Sequence, residues 1–177
     1  ILFSLDSMLW NVDMFHEAGF NAGPKDWDEM VEMAKKLTKY DAEGRVIRSG
    51  LDLRLFGAGS GVAAKWWYFL KSAGGDLFEE VEPGKYRAAY DNEAGFETTK
   101  LYIDGVHKHR FTSFEIKHDT EAFANELSAM FVREAWVVGY MRKNAPNVNF
   151  DVSPMPAYKK TNALYFWTNL YVTSSSK

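Results

Sequence analysis

The sequence predicts an α/β domain in which helices pack on a mixed sheet. Helical patterns alternate along the chain with short apolar strand patterns, and this alternation is typical of layered α/β folds. The 177 residues suit one domain, since a chain of that length buries roughly 70% of the surface that it exposes when unfolded. Hydrophobic residues make up 46% of the sequence and cysteine is absent, so we expect a core that needs no disulfide.

Composition and charge exclude several classes of protein. The 21 basic and 24 acidic residues give a net charge of −3, whereas a nucleic-acid-binding domain usually carries a strongly basic face. The sequence has no run of 18 apolar residues that would predict a transmembrane helix. Without cysteine there is no thiolate metal site and no cysteine nucleophile. The 6 Trp, 9 Tyr and 13 Phe residues must fill a core, line a pocket or do both.

The first two elements are an extended segment and a short helix. Residues 1–10 predict a strand-like segment. Asn11 is a favourable N-cap for a helix over 12–18, and Gly19 has the position that glycine usually takes just after a helix. We therefore expect the chain to enter the fold as a strand and to turn at once into a helix.

A second helix begins at Asp26. This N-cap residue and Glu29, three residues later, form a capping-box pattern. The helix has an apolar stripe at helical spacing, formed by Trp27, Met30, Val31, Ala34 and Leu37. We expect the helix to end near Tyr40. A turn over 41–44 and a buried strand over 51–55 should follow.

Glycines mark the boundaries of the next elements. A glycine-rich loop over 57–61 should lead into a helix over 62–73, which ends at the glycines of 74–75. A polar hairpin is predicted over 77–90, with its turn at 83–84. The loop matches neither the dinucleotide-binding fingerprint nor the phosphate-binding loop of nucleotide hydrolases, so the sequence predicts no nucleotide cofactor.

The second half of the sequence continues the alternation of helices and strands. The predicted elements are, in order, a helix from Asp91 or Asn92 to His109, a short helix over 119–125, a strand over 127–132, a helix over 135–145, and strands over 150–152 and 163–173. The helix over 135–145 carries Arg142 and Lys143 in its last turn, where positive charge is favourable. Pro146 follows it directly.

Five short motifs occur along the chain in one order. They are MLWNVDMFHEAG at 8–19, PKDWDE at 24–29 with AKKL at 34–37, AGGDLF at 73–78, AFA at 122–124 with AMF at 129–131 and Trp136, and NFDVSPMP at 149–156. Together they resemble the extracellular solute-binding proteins of ABC importers, and most closely the branch that takes up sugars and oligosaccharides. The resemblance covers roughly residues 8–173. Two positions depart from the family pattern: Glu126 replaces a glycine, and Glu134 with Ala135 replaces glycine-proline.

The resemblance implies a fold of two α/β lobes joined by a hinge, with the ligand bound between them. On this interpretation residues 9–162 form a lobe of the C-terminal type. Residues 1–8 and 163–177 would cross the hinge, from and to a second lobe. Because the sequence opens in an apolar segment without an initiator methionine, we expect it to be a piece of a longer protein.

Tryptophans are the first candidates for a ligand site, because a sugar needs flat apolar rings as well as polar groups. Trp136 matches the tryptophan that stacks on ligand in the family it resembles. Trp66 and Trp67 point about 100° apart on a helix, so we expect one to pack and the other to reach the cleft. Trp167 lies with Asn169 on the last predicted strand, where the family's hinge borders the ligand.

Polar candidates lie in two places. Gly59, Ser60 and Lys65 belong to the glycine-rich loop and the first turns of the helix after it, where the resemblance places ligand contacts. Asp6 and Ser7, on the first strand, are placed to hydrogen-bond sugar hydroxyls. The predicted cleft therefore combines aromatic rings with few charges, which favours a neutral sugar over a polyamine or a phosphate.

The histidines give no sign of a metal site. His107 and His109 face different sides of a helix because they are two residues apart, and no H-E-x-x-H motif occurs. The sequence also lacks the G-x-S-x-G motif of many serine hydrolases, and no two carboxylates stand out as a glycosidase pair. We expect neither a metal nor a cofactor.

The predicted function is ligand capture without catalysis. The resemblance implies the substrate-binding component of an ABC transporter, which takes a sugar or oligosaccharide by hinge closure and delivers it to membrane permease subunits. It also implies an extracytoplasmic location, in the periplasm or as a cell-surface lipoprotein, and we expect a monomer that binds no nucleic acid. Two alternatives stay open: the same fold with a non-sugar solute (a polyamine, glycerol phosphate or an iron complex), and a sugar-active hydrolase.

Overall fold

The fold is described from a computed structural model, which places residues 3–57, 59–116, 119–159, 165–167 and 175. In chain order the strands are β1 (Phe3–Asn11), β2 (Lys39–Tyr40), β3 (Val46–Arg48), β4 (Phe78–Glu82), β5 (Lys85–Ala88), β6 (Met130–Glu134), β7 (Phe150–Ser153) and β8 (Tyr165–Trp167). The helices are α1 (Val12–Glu17), α2 (Trp27–Leu37), α3 (Gly59–Ser72), α4 (Glu93–His107), α5 (Asp119–Ala124) and α6 (Trp136–Asn144). None of these helices is long and apolar enough to cross a membrane.

One sheet of four strands organises the domain. β1 lies between β6 and β7 and is antiparallel to both, whereas its first residues pair with β8. In the β1–β6 ladder Asp6 lies opposite Glu134. An isolated parallel bridge joins Asp52 to Phe131 of β6. The strand pairs described in this sheet are thus antiparallel, and the parallel pairing expected of a mixed sheet is present among its described residues only as this isolated bridge.

Helices cover both faces of this sheet. Side chains along a strand point alternately to its two faces, and in β1 Met8 and Trp10 belong to one buried cluster whereas Leu9 belongs to another. The first cluster includes residues of α1, α2, α3 and α4, and the second includes residues of α5 and α6. The result is a three-layer α/β/α arrangement, which confirms the predicted fold class.

Three helices begin at the caps that the sequence predicts. The side chains of Asn11, Asp26 and Asn92 each accept a hydrogen bond from a backbone N–H three residues later, at 3.0, 2.8 and 3.2 Å. They begin α1, α2 and α4. The predicted hairpin is confirmed as β4 and β5, with Gly84 in a left-handed conformation (φ +75°) at its turn.

The end of α2 differs from the prediction. The helix ends at Leu37 rather than near Tyr40. Thr38 leaves the helix with an extended backbone, and its hydroxyl donates to the carbonyl of Ala34 at 2.7 Å and accepts from the N–H of Gly50 at 3.1 Å. A Cβ on Gly50 would lie 1.8 Å from the Ala34 carbonyl oxygen, so only glycine permits this approach. The chain then forms β2, which pairs with β3 across the predicted turn.

Three further boundaries differ from the prediction. The segment over 51–55 forms a single bridge to β6 instead of a strand, since the left-handed backbone of Arg54 (φ +49°) interrupts its extended course. α3 begins at Gly59, inside the predicted loop, and β6 begins at Met130 rather than at 127. By contrast, α4, α5, α6 and β7 lie within two residues of their predicted bounds.

Candidate functional site

Charged side chains meet at the end of the sheet where β6 passes into α6. β6 ends at Glu134, and α6 begins at Trp136 after a single residue. The backbone N–H of that residue, Ala135, donates to the carbonyl of Leu5 at 2.8 Å. Asp6 is buried opposite Glu134. These contacts fix the turn beside the point where β1 changes partner from β8 to β6.

Glu134 forms an ion pair with Lys65 of α3. The Lys65 ammonium donates to the Glu134 carboxylate at 2.9 Å and to the Tyr68 hydroxyl at 3.1 Å. That hydroxyl donates in turn to the same carboxylate oxygen at 2.6 Å. Lys65 and Tyr68 are both buried, and their spacing of three residues puts them on one face of α3. α3 therefore supplies two donors to one carboxylate at the end of β6.

These contacts fix the protonation states of the three groups. Burial alone would raise the pKa of Glu134, but the charge of Lys65 and the hydrogen bonds from Tyr68 and Lys65 lower that pKa to about 2. Burial lowers the pKa of Lys65 to about 8, against the opposite effect of Glu134. Burial and the contact with Glu134 raise the pKa of the Tyr68 hydroxyl. At neutral pH the groups are a carboxylate, an ammonium and a neutral phenol.

Arg133 connects this ion pair to a second one. Its guanidinium contacts the Asp119 carboxylate, and its Nε lies 3.0 Å from an oxygen of Glu134. Arg54 reaches the same Asp119 oxygen at 3.2 Å. Asp119 is buried, and burial alone would raise its pKa. The charge of Arg133, the backbone N–H of Thr120 and the charge of Arg54 outweigh burial and lower the pKa of Asp119, so this carboxylate is ionised at neutral pH.

Trp136 offers an aromatic surface beside these charges. It is 45% exposed. The guanidinium carbon of Arg133 lies over one face of the indole, 5.1 Å from the ring centroid, and Tyr140 meets the indole edge-on, with the centroids 6.3 Å apart. Because Arg133 covers one face, a flat apolar ligand would stack on the opposite face.

Four predicted site residues meet at this turn: Asp6, Ser7, Lys65 and Trp136. The Ser7 hydroxyl donates to a backbone carbonyl of β6 at 3.4 Å. The predicted ligand contact of Lys65 stays a prediction, and the structure shows its ammonium buried against Glu134. A ligand would contact that ammonium only if the ion pair opened. In this structure Lys65 forms an ion pair with Glu134.

Trp66 and Trp67 have their partners elsewhere. The Trp66 ring meets Tyr90 edge-on, with the centroids 5.9 Å apart, in a groove that also contains residues at the start of α4. The indole N–H of Trp67 donates to Asp76 at 3.0 Å, just beyond the end of α3. Both tryptophans are half-buried. The described contacts of Trp66 and Trp67 are therefore with residues other than those around Trp136. A ligand contact by Trp66 or Trp67 stays a prediction.

The other predicted residues are placed by their backbone alone or lie beyond the described chain. Gly59 and Ser60 form the first turn of α3. Trp167 lies in β8, opposite Phe3 of β1. Asn169 lies outside the described residues. Gly59 and Ser60 are therefore helical, whereas the sequence predicted a loop.

The structure overturns the expectation of few charges at the site. Lys65, Arg133 and Glu134 lie at this turn together with the buried Asp6. Behind Arg133, the Asp119 carboxylate pairs with both Arg133 and Arg54. Sequence reasoning missed Arg54 and Asp119, which are ion-paired across 65 residues of chain and carry no local signal. Glu134 had a signal, because it departs from the family pattern before Trp136.

The carboxylates of this site do not form a metal centre. Asp119 is bound by two arginines, and Glu134 is bound by Lys65 and Arg133. Among the residues that the structure places, no three His, Asp or Glu side chains are grouped so that they could hold a metal ion.

Asp52 is a buried carboxyl beside this charged group. Burial raises its pKa to about 7, although one of its oxygens accepts from the Arg54 backbone N–H at 2.8 Å. Because its ordinary pKa is 3.8, this carboxyl ionises in the unfolded chain at pH values at which it stays protonated in the fold. The stability of the fold therefore falls as the pH rises from about 4 through 7. Between pH 5 and pH 8, we expect wild type to lose about 2.5 kcal/mol of unfolding free energy relative to Asp52→Asn, as urea denaturation of both proteins would show.

The amide of Asp52→Asn can still accept the Arg54 hydrogen bond, so the comparison isolates the ionisation. Asp28→Asn, at an exposed position of α2, is the control and should follow the pH dependence of wild type. A constant difference between Asp52→Asn and wild type at both pH values would mean that Asp52 does not titrate in this range.

The sequence matches the family described as bacterial extracellular solute-binding protein over residues 4–177. A curated relative is a probable amino-acid ABC transporter periplasmic-binding protein of Sinorhizobium fredii. It is 29% identical over 98 residues, which are 54% of this chain and 20% of that protein. The matched part of this chain thus spans about a fifth of the length of that relative.

Solved structures share the fold. An ABC transporter solute-binding protein of Thermotoga lettingae, bound with α-D-tagatose, is similar with a TM-score of 0.74 and 24% identity, over 92% of this chain and 42% of that one. Maltose-bound MalE3 of T. maritima is similar with a TM-score of 0.70 and 20% identity, over 92% of this chain and 41% of that one. At these identities the likeness shows the fold.

Proposed function

Because the chain belongs to the bacterial extracellular solute-binding proteins, we propose that it acts in the substrate-binding component of an ABC transporter. The proposed ligand is a sugar or oligosaccharide, which is bound outside the cytoplasm and passed to membrane permease subunits. No chemical step is part of this proposal.

The observation that carries the sugar assignment is the half-exposed indole of Trp136 at the end of the sheet. Its free face can pack against the C–H face of a pyranose ring. Polar residues belong to the same turn, among them Glu134 two residues earlier in the chain. An aromatic face with polar groups at its border is the combination that a saccharide requires.

The pairing of charges favours a neutral ligand. A polyamine needs carboxylates that are free to bind it, but Asp119 and Glu134 already hold cations. A phosphate needs free cations, but Lys65 and Arg133 already hold carboxylates. A neutral saccharide can bind without breaking any of these ion pairs.

The pKa values of the site favour binding over hydrolysis. A glycosidase needs a carboxylic acid with a raised pKa that can reach the substrate. The pKa values of Glu134 and Asp119 are lowered instead. That of Asp52 is raised, but this residue is buried.

The pairing of β1 supports the proposed hinge. Its first residues, 3–5, pair with β8, and the residues from Asp6 onward pair with β6 and β7. We propose that residues 1–8 and 163–177 cross the hinge and that residues 9–162 form one lobe. On this proposal the Trp136 turn borders the hinge, so that closure of a second lobe would cover a bound ligand.

Calorimetry of the full-length protein against a panel of solutes tests the function. The panel holds neutral mono- and oligosaccharides, amino acids, spermidine and glycerol phosphate. We expect saturable binding of a neutral saccharide, little changed by salt because no charge is transferred from water, and no cleavage of that saccharide. Amino acids belong in the panel because the Sinorhizobium relative is described as a probable amino-acid transporter protein. Binding of an amino acid, spermidine or glycerol phosphate instead of any sugar would reject the carbohydrate assignment.

A further inference from the structure

We infer that Arg133 is a positioning residue for Trp136. Held by Asp119, its guanidinium fixes the plane of the indole and leaves one face for ligand. The inference rests on the proposed function only where it concerns the affinity for a saccharide.

The guanidinium of Arg133 is itself held firmly. It contacts Asp119 and approaches Glu134 to 3.0 Å, and only 15% of its side chain is exposed. Asp119 is fixed in turn, since its side chain is buried and accepts from the backbone N–H of Thr120 at 2.5 Å. A cation with these partners keeps one position over the indole.

The indole, by contrast, has few other partners that would fix it. Trp136 is the first residue of α6 and is half-exposed. Its described ring contacts are an edge contact with Tyr140 and the face contact with Arg133. An exposed side chain without a packed face samples several rotamers. A fixed cation over one face selects one orientation of the ring, so a ligand that stacks on the other face loses less of its binding energy in ordering the ring.

The same contact bears on the charge of the ligand. A cation is attracted electrostatically to the face of an indole ring. When one cation already lies on one face, the opposite face attracts a second cation less strongly. With Arg133 in place, the free face of Trp136 suits the C–H groups of a neutral ring better than an ammonium group. The pair therefore supports selection against cationic solutes.

Arg54 provides a matched control. It binds the same oxygen of Asp119 as Arg133 does, and its side chain is similarly buried, with 12% exposed against 15%. The described cation–ring contact of Trp136 is with Arg133. Arg54→Met and Arg133→Met thus each remove one arginine from the same carboxylate, but Arg133→Met also removes the contact with Glu134 and uncovers the indole.

Fluorine NMR of the full-length protein labelled with 5-fluorotryptophan tests the position of the ring without any ligand. The Trp136 resonance is assigned by its loss in Trp136→Phe. We expect Arg133→Met to shift and broaden this resonance, Arg133→Lys to do so less, and Arg54→Met to leave it as in wild type. If Arg133→Met does not fold, the comparison of Arg133→Lys with Arg54→Met decides the question.

Calorimetry with the saccharide that wild type binds tests the consequence for affinity. We expect Arg133→Met to weaken binding roughly three- to tenfold and Arg54→Met to change it by less than about twofold. Equal effects of the two variants on the resonance and on affinity would show a merely structural role and overturn the inference. If wild type binds no saccharide, the proposed function fails, whereas the fluorine resonance still decides whether Arg133 positions Trp136.

Discussion

We expect Trp136→Ala to weaken the proposed saccharide binding by roughly ten- to a hundredfold, because it removes the exposed aromatic face of the candidate site. Aromatic residues at the centre of a binding site commonly contribute at this level. The variant should fold, since nearly half of the residue is exposed and it belongs to none of the described buried clusters. Calorimetry of wild type and variant with the same saccharide gives the ratio of the dissociation constants.

Two control variants separate this role from a general loss of aromatic surface. Trp136→Phe keeps a smaller ring and should lose much less affinity than Trp136→Ala. Phe96→Ala removes another exposed aromatic residue, 65% exposed on α4, and should bind as wild type does. Unchanged affinity in Trp136→Ala, or an equal loss in Phe96→Ala, would show that Trp136 is not the stacking surface.

Local hydrogen bonds explain why much of the fold could be predicted from the sequence. The caps at Asn11, Asp26 and Asn92 each depend on a partner three residues away, and such patterns are visible in a single sequence. The end of α2 depends instead on Thr38 and Gly50, which meet across 12 residues. No local sequence pattern predicts that contact, so the helix was predicted to end near Tyr40 instead of at Leu37.

The candidate site shows the same division. Trp136 was assigned to the site from the motif around it, and its ligand contact stays a prediction. The partner of Lys65 carries no such signal, because it lies 69 residues away. Lys65 was assigned to the ligand from its place after a glycine-rich loop. The structure buries it because Glu134, which departs from the family pattern, provides a carboxylate for it. A charged residue that departs from a family motif at a buried position thus indicates that a residue of opposite charge pairs with it.

Lys65→Met should lower the unfolding free energy by about 3 kcal/mol, because it leaves the largely buried Glu134 carboxylate with only Arg133, a cation that Glu134 shares with Asp119. The double variant Lys65→Met/Glu134→Gln should recover part of that loss, since the poorly compensated charge is gone while the amide oxygen can still accept from Tyr68. Lys100→Met is the matched control. Its ion pair with Asp104 has the same length of 2.9 Å but is exposed, so its loss should change stability far less. Urea denaturation at pH 7 gives all four values.

The pH dependence distinguishes the lost ion pair from a loss of packing. The pKa of Glu134 is lowered from 4.5 to about 2 in the folded protein. Its ionic contribution is therefore fully present above pH 4.5 and is lost as the pH falls towards 2. The stability difference between wild type and Lys65→Met should accordingly be smaller at pH 3 than at pH 7. A difference that does not change between these pH values, or a double variant no more stable than Lys65→Met, would mean that the Lys65 side chain stabilises the fold by packing alone. If the predicted pH dependence is observed, the Lys65–Glu134 ion pair stabilises the end of β6 next to Trp136 through its charges.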